Sequence, residues 1–126
     1  MSSKQILVVE DEPSIAETLV HVLNEQGFEA TRVATIHEAR ENLKNNIYSA
    51  IVLDCGLPDG NGFDFCKEIR KTNETPILFL TARSDEVDKI VGLEIGADDY
   101  VTKPFSPREV SARLKTIIKR VKEPMT

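Results

Sequence analysis

Three short stretches of this chain are apolar without interruption: Ile6-Leu7-Val8-Val9, Ala50-Ile51-Val52-Leu53 and Ile77-Leu78-Phe79-Leu80. A strand with one wet face alternates apolar and polar residues. A run with no polar member needs cover on both faces, which is the condition of strands inside a parallel sheet. Phe28 to Val33 is more mixed, with Glu29 and Arg32 among its residues, and reads as an edge strand. Tyr100-Val101 reads as a short fifth strand.

Helical patterns fill the intervals. Ser14 to Gln26 puts Ile15, Leu19, Val22 and Leu23 on one face, and Gly27 supplies the stop. Thr35 with Glu38 forms the pattern of a capping box for a second helix through about Lys44. A third helix follows Gly62, with Phe63, Cys66 and Ile69 inward, and a fourth runs from about Asp85 to Ile95, ending at Gly96. The fifth opens with Ser106 as N-cap, Pro107 at the first helical position and Glu109 closing the box. Its apolar stripe is Val110, Leu114, Ile117, Ile118 and Val121. Strand and helix thus alternate, and right-handed crossovers turn that order into an α/β fold: an open parallel sheet with helices on both faces. At 126 residues the chain fits one domain with a core of its own.

The net charge of −5 argues against a general nucleic-acid or membrane-surface binder, which would want a basic face. Cys55 and Cys66 make neither a disulfide framework nor a zinc signature, so free thiols are expected. Met1-Ser2-Ser3-Lys4 lacks the long apolar region of a signal peptide, and no run approaches the roughly 20 apolar residues that span a bilayer. A cytoplasmic location without membrane attachment is the expectation. His21 and His37 are isolated, with no partner spacing for metal or catalysis.

In open parallel sheets the functional site lies at the carboxyl ends of the strands. Glu10, Asp11 and Glu12 follow the first apolar run, Asp54 the second, Thr81 the third, and Lys103 the short strand at Tyr100-Val101. Taken singly each has a plain reading: a solvated turn, a cap, a loop. Together they bring carboxylates, a hydroxyl and an ammonium to one edge. Crowded carboxylates resist joint ionisation, and a hard divalent cation relieves them. Mg²⁺ suits a few carboxylates with carbonyl, water and phosphate oxygens completing its shell. Such a site would neutralise a phosphoryl group for in-line attack by a carboxylate oxygen, with Lys103 and Thr81 on the other phosphoryl oxygens. The product would be an aspartyl phosphate.

This constellation resembles the receiver domains of bacterial response regulators. The matching pieces are Val8-Val9-Glu10-Asp11-Glu12; Leu53 through Gly62, which includes Leu57-Pro58-Asp59-Gly60; Leu80-Thr81-Ala82-Arg83; and Gly96-Ala97-Asp98-Asp99-Tyr100 with Val101-Thr102-Lys103-Pro104-Phe105. The resemblance implies a flavodoxin-like five-stranded sheet in the order 2-1-3-4-5 over residues 1–121, with 122–126 as a tail or the start of a linker. It makes Asp54 the phosphoacceptor, and Glu10, Asp11, Asp54 and the Gly56 backbone carbonyl the ligands of Mg²⁺ (or Mn²⁺ in its place). Thr81 and Tyr100 match the switch hydroxyl and aromatic. Lys103 matches the phosphate-sensing lysine, joined to Pro104 by a cis bond. The first acid is Glu10 where many members have Asp.

A finer resemblance is to the OmpR/PhoB-type subfamily, and from Leu78 to Arg113 to its CreB-type members. It implies a homodimer through the fourth helix, fifth strand and fifth helix, using Lys89, Glu94, Asp98, Asp99, Glu109, Arg113 and Arg120, with Ile90, Leu93 and Ala112 beside them. It also implies a sensor histidine kinase as phosphodonor, and contact with DNA only through a C-terminal domain outside this chain. The chain would be no enzyme beyond its own phosphoryl transfer and dephosphorylation. Two other readings stand beside it. An aspartate-nucleophile phosphatase would carry a second Asp two residues after the first, where this chain has Gly56. A receiver-like interaction module that takes no phosphoryl group typically lacks a site residue, and none is missing here.

Overall fold

In a computed structural model, which describes residues 4–81, 94 and 96–122, the apolar runs are the interior strands of one sheet. β1 (Lys4–Val9), β2 (Phe28–Val33), β3 (Ala50–Asp54), β4 (Ile77–Thr81) and β5 (Asp99–Thr102) are all parallel and lie in the order β2-β1-β3-β4-β5. Every residue of β3 and β4 is buried, as two-sided cover requires. β2, at the edge, is exposed at Glu29, Thr31 and Arg32.

The sheet divides the core. On one side Ile6, Val8, Val52, Leu78 and Leu80 pack with Leu19 and Leu23 of α1 (Pro13–Glu25) and with Val110, Leu114, Ile117 and Ile118 of the last helix (Pro107–Lys122). On the other, Leu7, Val9, Ile51, Leu53, Ile77 and Phe79 pack with α2 (Ile36–Asn45) and α3 (Gly62–Arg70). The period of two along each strand assigns its residues to alternate sides.

Two helix faces differ from the sequence expectation. In α1 the buried residues are Ala16, Leu19 and Leu23, while Ile15 and Val22 are half-buried. In α3 Phe65 is buried with Cys66 and Ile69, and Phe63 is half-buried, its ring edge-on to Phe79 at 4.9 Å. Ala16 is too small to register as an apolar anchor, yet close helix–sheet packing selects it. Of the expected fourth helix, about Asp85 to Ile95, only Glu94 is among the described residues, in helical conformation; Lys89, Ile90 and Leu93 lie outside them, as do Arg83 and the side chain of Val121.

Strand register brings the site together. Val9 pairs with Leu53, so Glu10 and Asp54 leave adjacent strands at the same level. Asp54 pairs with Leu80, and Thr81 with Thr102, the residue before Lys103. Asp54 and Thr81 are the last residues of their strands rather than the first beyond them.

Candidate functional site

Carboxylate oxygens of Glu10, Asp11 and Asp54 lie within 4.8 Å of one another. Glu10 is wholly buried, Asp54 is 5% exposed and Asp11 is open to solvent. The ammonium of Lys103 stands 3.3 Å from Glu10 Oε1 and 3.3 Å from Asp54 Oδ2. Among the described residues, Lys103 is thus paired with two of the three acids, Glu10 and Asp54. Glu10 Oε2 accepts from the Glu12 N–H at 3.1 Å, but Oε1 finds no hydrogen bond among the described residues. Burial, with the Asp54 charge added, pushes the Glu10 carboxyl up to about 7. Burial alone would lower the Lys103 ammonium; Asp54 and Glu10 outweigh it and hold its pKa above the ordinary lysine range. A buried carboxylate oxygen whose near cation is shared with a second carboxylate, in a surplus of negative charge, is the kind of donor set an all-oxygen divalent-cation site requires. Glu10, Asp11 and Asp54 therefore fit Mg²⁺, and the Gly56 N–H, 3.4 Å from Asp54 Oδ1, sets that residue's peptide against the same carboxylate.

The loop after β3 is fastened at several points. Residues Gly56–Leu57 and Gly60–Asn61 form a small antiparallel ladder. Asp59 at its tip accepts from the N–H groups of Ile36 (2.8 Å) and His37 (3.0 Å), which cap α2 and hold the Asp59 carboxyl below its ordinary range. Thr35 Oγ1 accepts from Glu38 N–H, as expected, but Glu38 Oε1 accepts from Ala34 N–H rather than from Thr35. Gly62 opens α3 flush against the end of β3: its N–H donates to Cys55 O at 2.8 Å, and a Cβ there would overlap the Asp54 carbonyl and lie 2.9 Å from Cys55 Cα. Gly56, by contrast, has open space where a Cβ would go.

The β1–α1 loop is held from outside. Arg32, on the edge strand, donates from Nε to Glu10 O (2.9 Å) and from Nη2 to Asp11 O (3.0 Å). Sequence reasoning assigned no role to Arg32, Asp59 or Gly62. Asp59 and Gly62 stood in a recognised motif; Arg32 had no signal beyond being a charge in a strand.

Thr81 is 6% exposed, and its carbonyl accepts from Lys103 N–H at 2.7 Å. The Lys103–Pro104 bond is cis. Tyr100 is half-buried against the α2/α3 side of the core. Of the expected dimer residues, Glu94, Glu109, Ala112 and Arg120 are exposed. Asp99 is paired with Arg113 at 3.0 Å, and Arg113 also with Glu109 at 3.2 Å. Asp98 is engaged within the fold: its Oδ2 accepts from Arg70 Nη2 (3.0 Å) and from Ile77 N–H (2.8 Å). Lys89, Ile90 and Leu93 are among the residues not described.

Comparison with known proteins agrees with this geometry. The family model described as "Response regulator receiver domain" matches residues 6–115. The transcriptional regulatory protein CreB of Escherichia coli (strain K12) is 46% identical over 124 residues, 98% of this chain and 54% of CreB. The receiver domain of the Francisella response regulator 1452 superposes with a TM-score of 0.90 at 36% identity, over 94% of this chain and 99% of that one. DrrB of Thermotoga maritima, described as an OmpR/PhoB homolog, gives 0.87 at 34% identity, over 98% of this chain and 55% of DrrB. The chain spans about half the length of the curated relatives it matches.

Proposed function

This chain belongs to the response regulator receiver domain family, with OmpR/PhoB-type regulators among its relatives, and from that premise we propose that Asp54 is its phosphoacceptor. Phosphorylation-driven switching is the general function of the family. The observation that carries the assignment is the meeting of Glu10, Asp11, Asp54 and Lys103 at one rim of the sheet. An Asp54 carboxylate oxygen attacks phosphorus in line, the bond from phosphorus to the donor breaks, and the electron pair leaves with the donor. That donor is the phosphohistidine of a sensor kinase or a small acyl phosphate such as acetyl phosphate. Glu10, Asp11, Asp54 and the Gly56 carbonyl would hold Mg²⁺, or Mn²⁺ in its place. The ion supplies positive charge against the transferring phosphoryl oxygens. Lys103 takes another of those oxygens, and in doing so gives up its pairing with Asp54. The chain turns over no external substrate; it catalyses its own phosphorylation and dephosphorylation.

The switch runs through the neighbouring strand end. The new dianion draws in the Thr81 hydroxyl, Tyr100 moves further into the α2/α3 side, and the face of β5 and the last helix, with the fourth helix expected from the sequence, becomes competent to pair with a second copy. Output in transcription is carried by a DNA-binding region outside this chain, in the cytoplasm. No helix among the described residues is long and apolar enough to cross a membrane.

Incubation with Mg²⁺ and acetyl phosphate should add one phosphoryl mass to the wild type and none to Asp54→Asn. Labelling that persists in Asp54→Asn would overturn the assignment.

A further inference from the structure

We propose that Arg32 is a positioning residue for the divalent-cation site, setting its affinity from outside the ligand set; this rests on the cation reading above. The loop from Glu10 to Glu12 has to hold two like-charged carboxylates toward one point against their repulsion. Its own fastenings are few. Glu10 N–H donates to Val33 O at 3.1 Å, and Glu12 N–H donates to the Glu10 carboxylate at 3.1 Å, a group the cation itself would draw on. Glu12, as N-cap of α1, makes no side-chain cap. The two carbonyls between these points, Glu10 O and Asp11 O, both go to the fork of Arg32. The guanidinium is planar with its donors fixed in a fork, so two bonds to successive carbonyls lock the peptide between them. Arg32 spends its charge on carbonyls: it forms no ion pair among the described residues, although carboxylates stand on the loop it grips.

The sign of the effect separates positioning from charge. A cation beside a divalent-ion site repels the ion, so if Arg32 acted by charge alone, its removal would tighten Mg²⁺ binding. A purely architectural residue would lower the melting temperature of the metal-free protein and leave Mg²⁺ affinity unchanged. A positioning residue weakens Mg²⁺ binding when removed, as outer-shell partners of metal ligands do, by on the order of 10-fold.

The test is calorimetric titration of Mg²⁺ alone into the wild type, Arg32→Met and Arg32→Lys, each with its metal-free melting temperature. The expected result is a Kd about 10-fold higher for Arg32→Met. Arg32→Lys, which keeps the charge but reaches one carbonyl with one point donor, should show most of the same loss while remaining folded. Affinity equal to or tighter than wild type in either variant overturns the proposal, as does weakening confined to a variant already unfolded at the assay temperature. A wild type that takes no Mg²⁺ overturns the cation reading itself, and Arg32's role with it.

Discussion

Glu10 is the residue at which folding and cation binding oppose each other. Its carboxyl is raised to about 7 by burial, against an ordinary value of 4.5. Between those values the folded metal-free protein holds a proton that the unfolded chain has released. Its stability therefore falls as pH climbs from about 4.5 through about 7, by about 3 kcal/mol, and levels off above. Mg²⁺ held as proposed would compete for the same oxygens and displace the proton, so it should bind more tightly as pH rises through that window. Denaturant melts in a chelating buffer at several pH values, set beside Mg²⁺ titrations at the same pH, should show the two trends running in opposite directions. Glu10→Gln should flatten the first.

Elements are joined here by a few polar residues whose partners are mostly main chain. Arg70 is the clearest: Nε donates to Gly96 O (2.8 Å), Nη1 to Asn73 O (3.2 Å) and Thr75 O (2.7 Å), and Nη2 to Asp98. It ties the end of α3 to the starts of β4 and β5. Gly96 sits at φ +111 with its missing Cβ facing the Arg70 stem, 2.9 Å from Cγ, so conformation and space both call for glycine there. Arg70→Met should cost about 2 kcal/mol, read as a lower urea midpoint at unchanged slope, because it strands acceptors it cannot reach. Such clasps also mark where sequence reading stops. The strands were legible because an unbroken apolar run has few other homes. The acids, Thr81 and Lys103 were legible because strand ends deliver residues to a known edge. Arg32, Asp59 and Arg70 were not, since a bond from a side chain to a distant carbonyl or amide leaves no pattern in residue types. The faces of α1 and α3 were read incompletely: Ala16 and Phe65 are buried beside the half-buried Ile15 and Phe63, and Ala16 is too small to register as an apolar anchor although close packing against a sheet selects it.

For the whole molecule, four of the charged groups expected to pair between copies, Asp98, Asp99, Glu109 and Arg113, are already engaged within one. Arg113 holds Asp99 and Glu109, and Arg70 holds Asp98. Association on the proposed face would exchange internal pairs for external ones and gain little charge energy, so the proposed phosphoryl-driven shift of β5 would have to supply the bias. Sedimentation velocity should find mostly monomer without modification and a dimer with Mg²⁺ and beryllofluoride. Arg113→Ala should reduce the dimer by several-fold at the same concentration; an unchanged distribution would count against this face. The partition of the core by the sheet reaches further. Cys66, at 0% exposure, and half-buried Cys55 both lie against the α2/α3 cluster, and neither against the opposite one. The rate at which a thiol reagent reaches Cys66 is thus a clock for the opening of one half of the molecule. Loosening the other half, as by Leu114→Ala, should leave that clock running at its old speed unless the sheet itself parts.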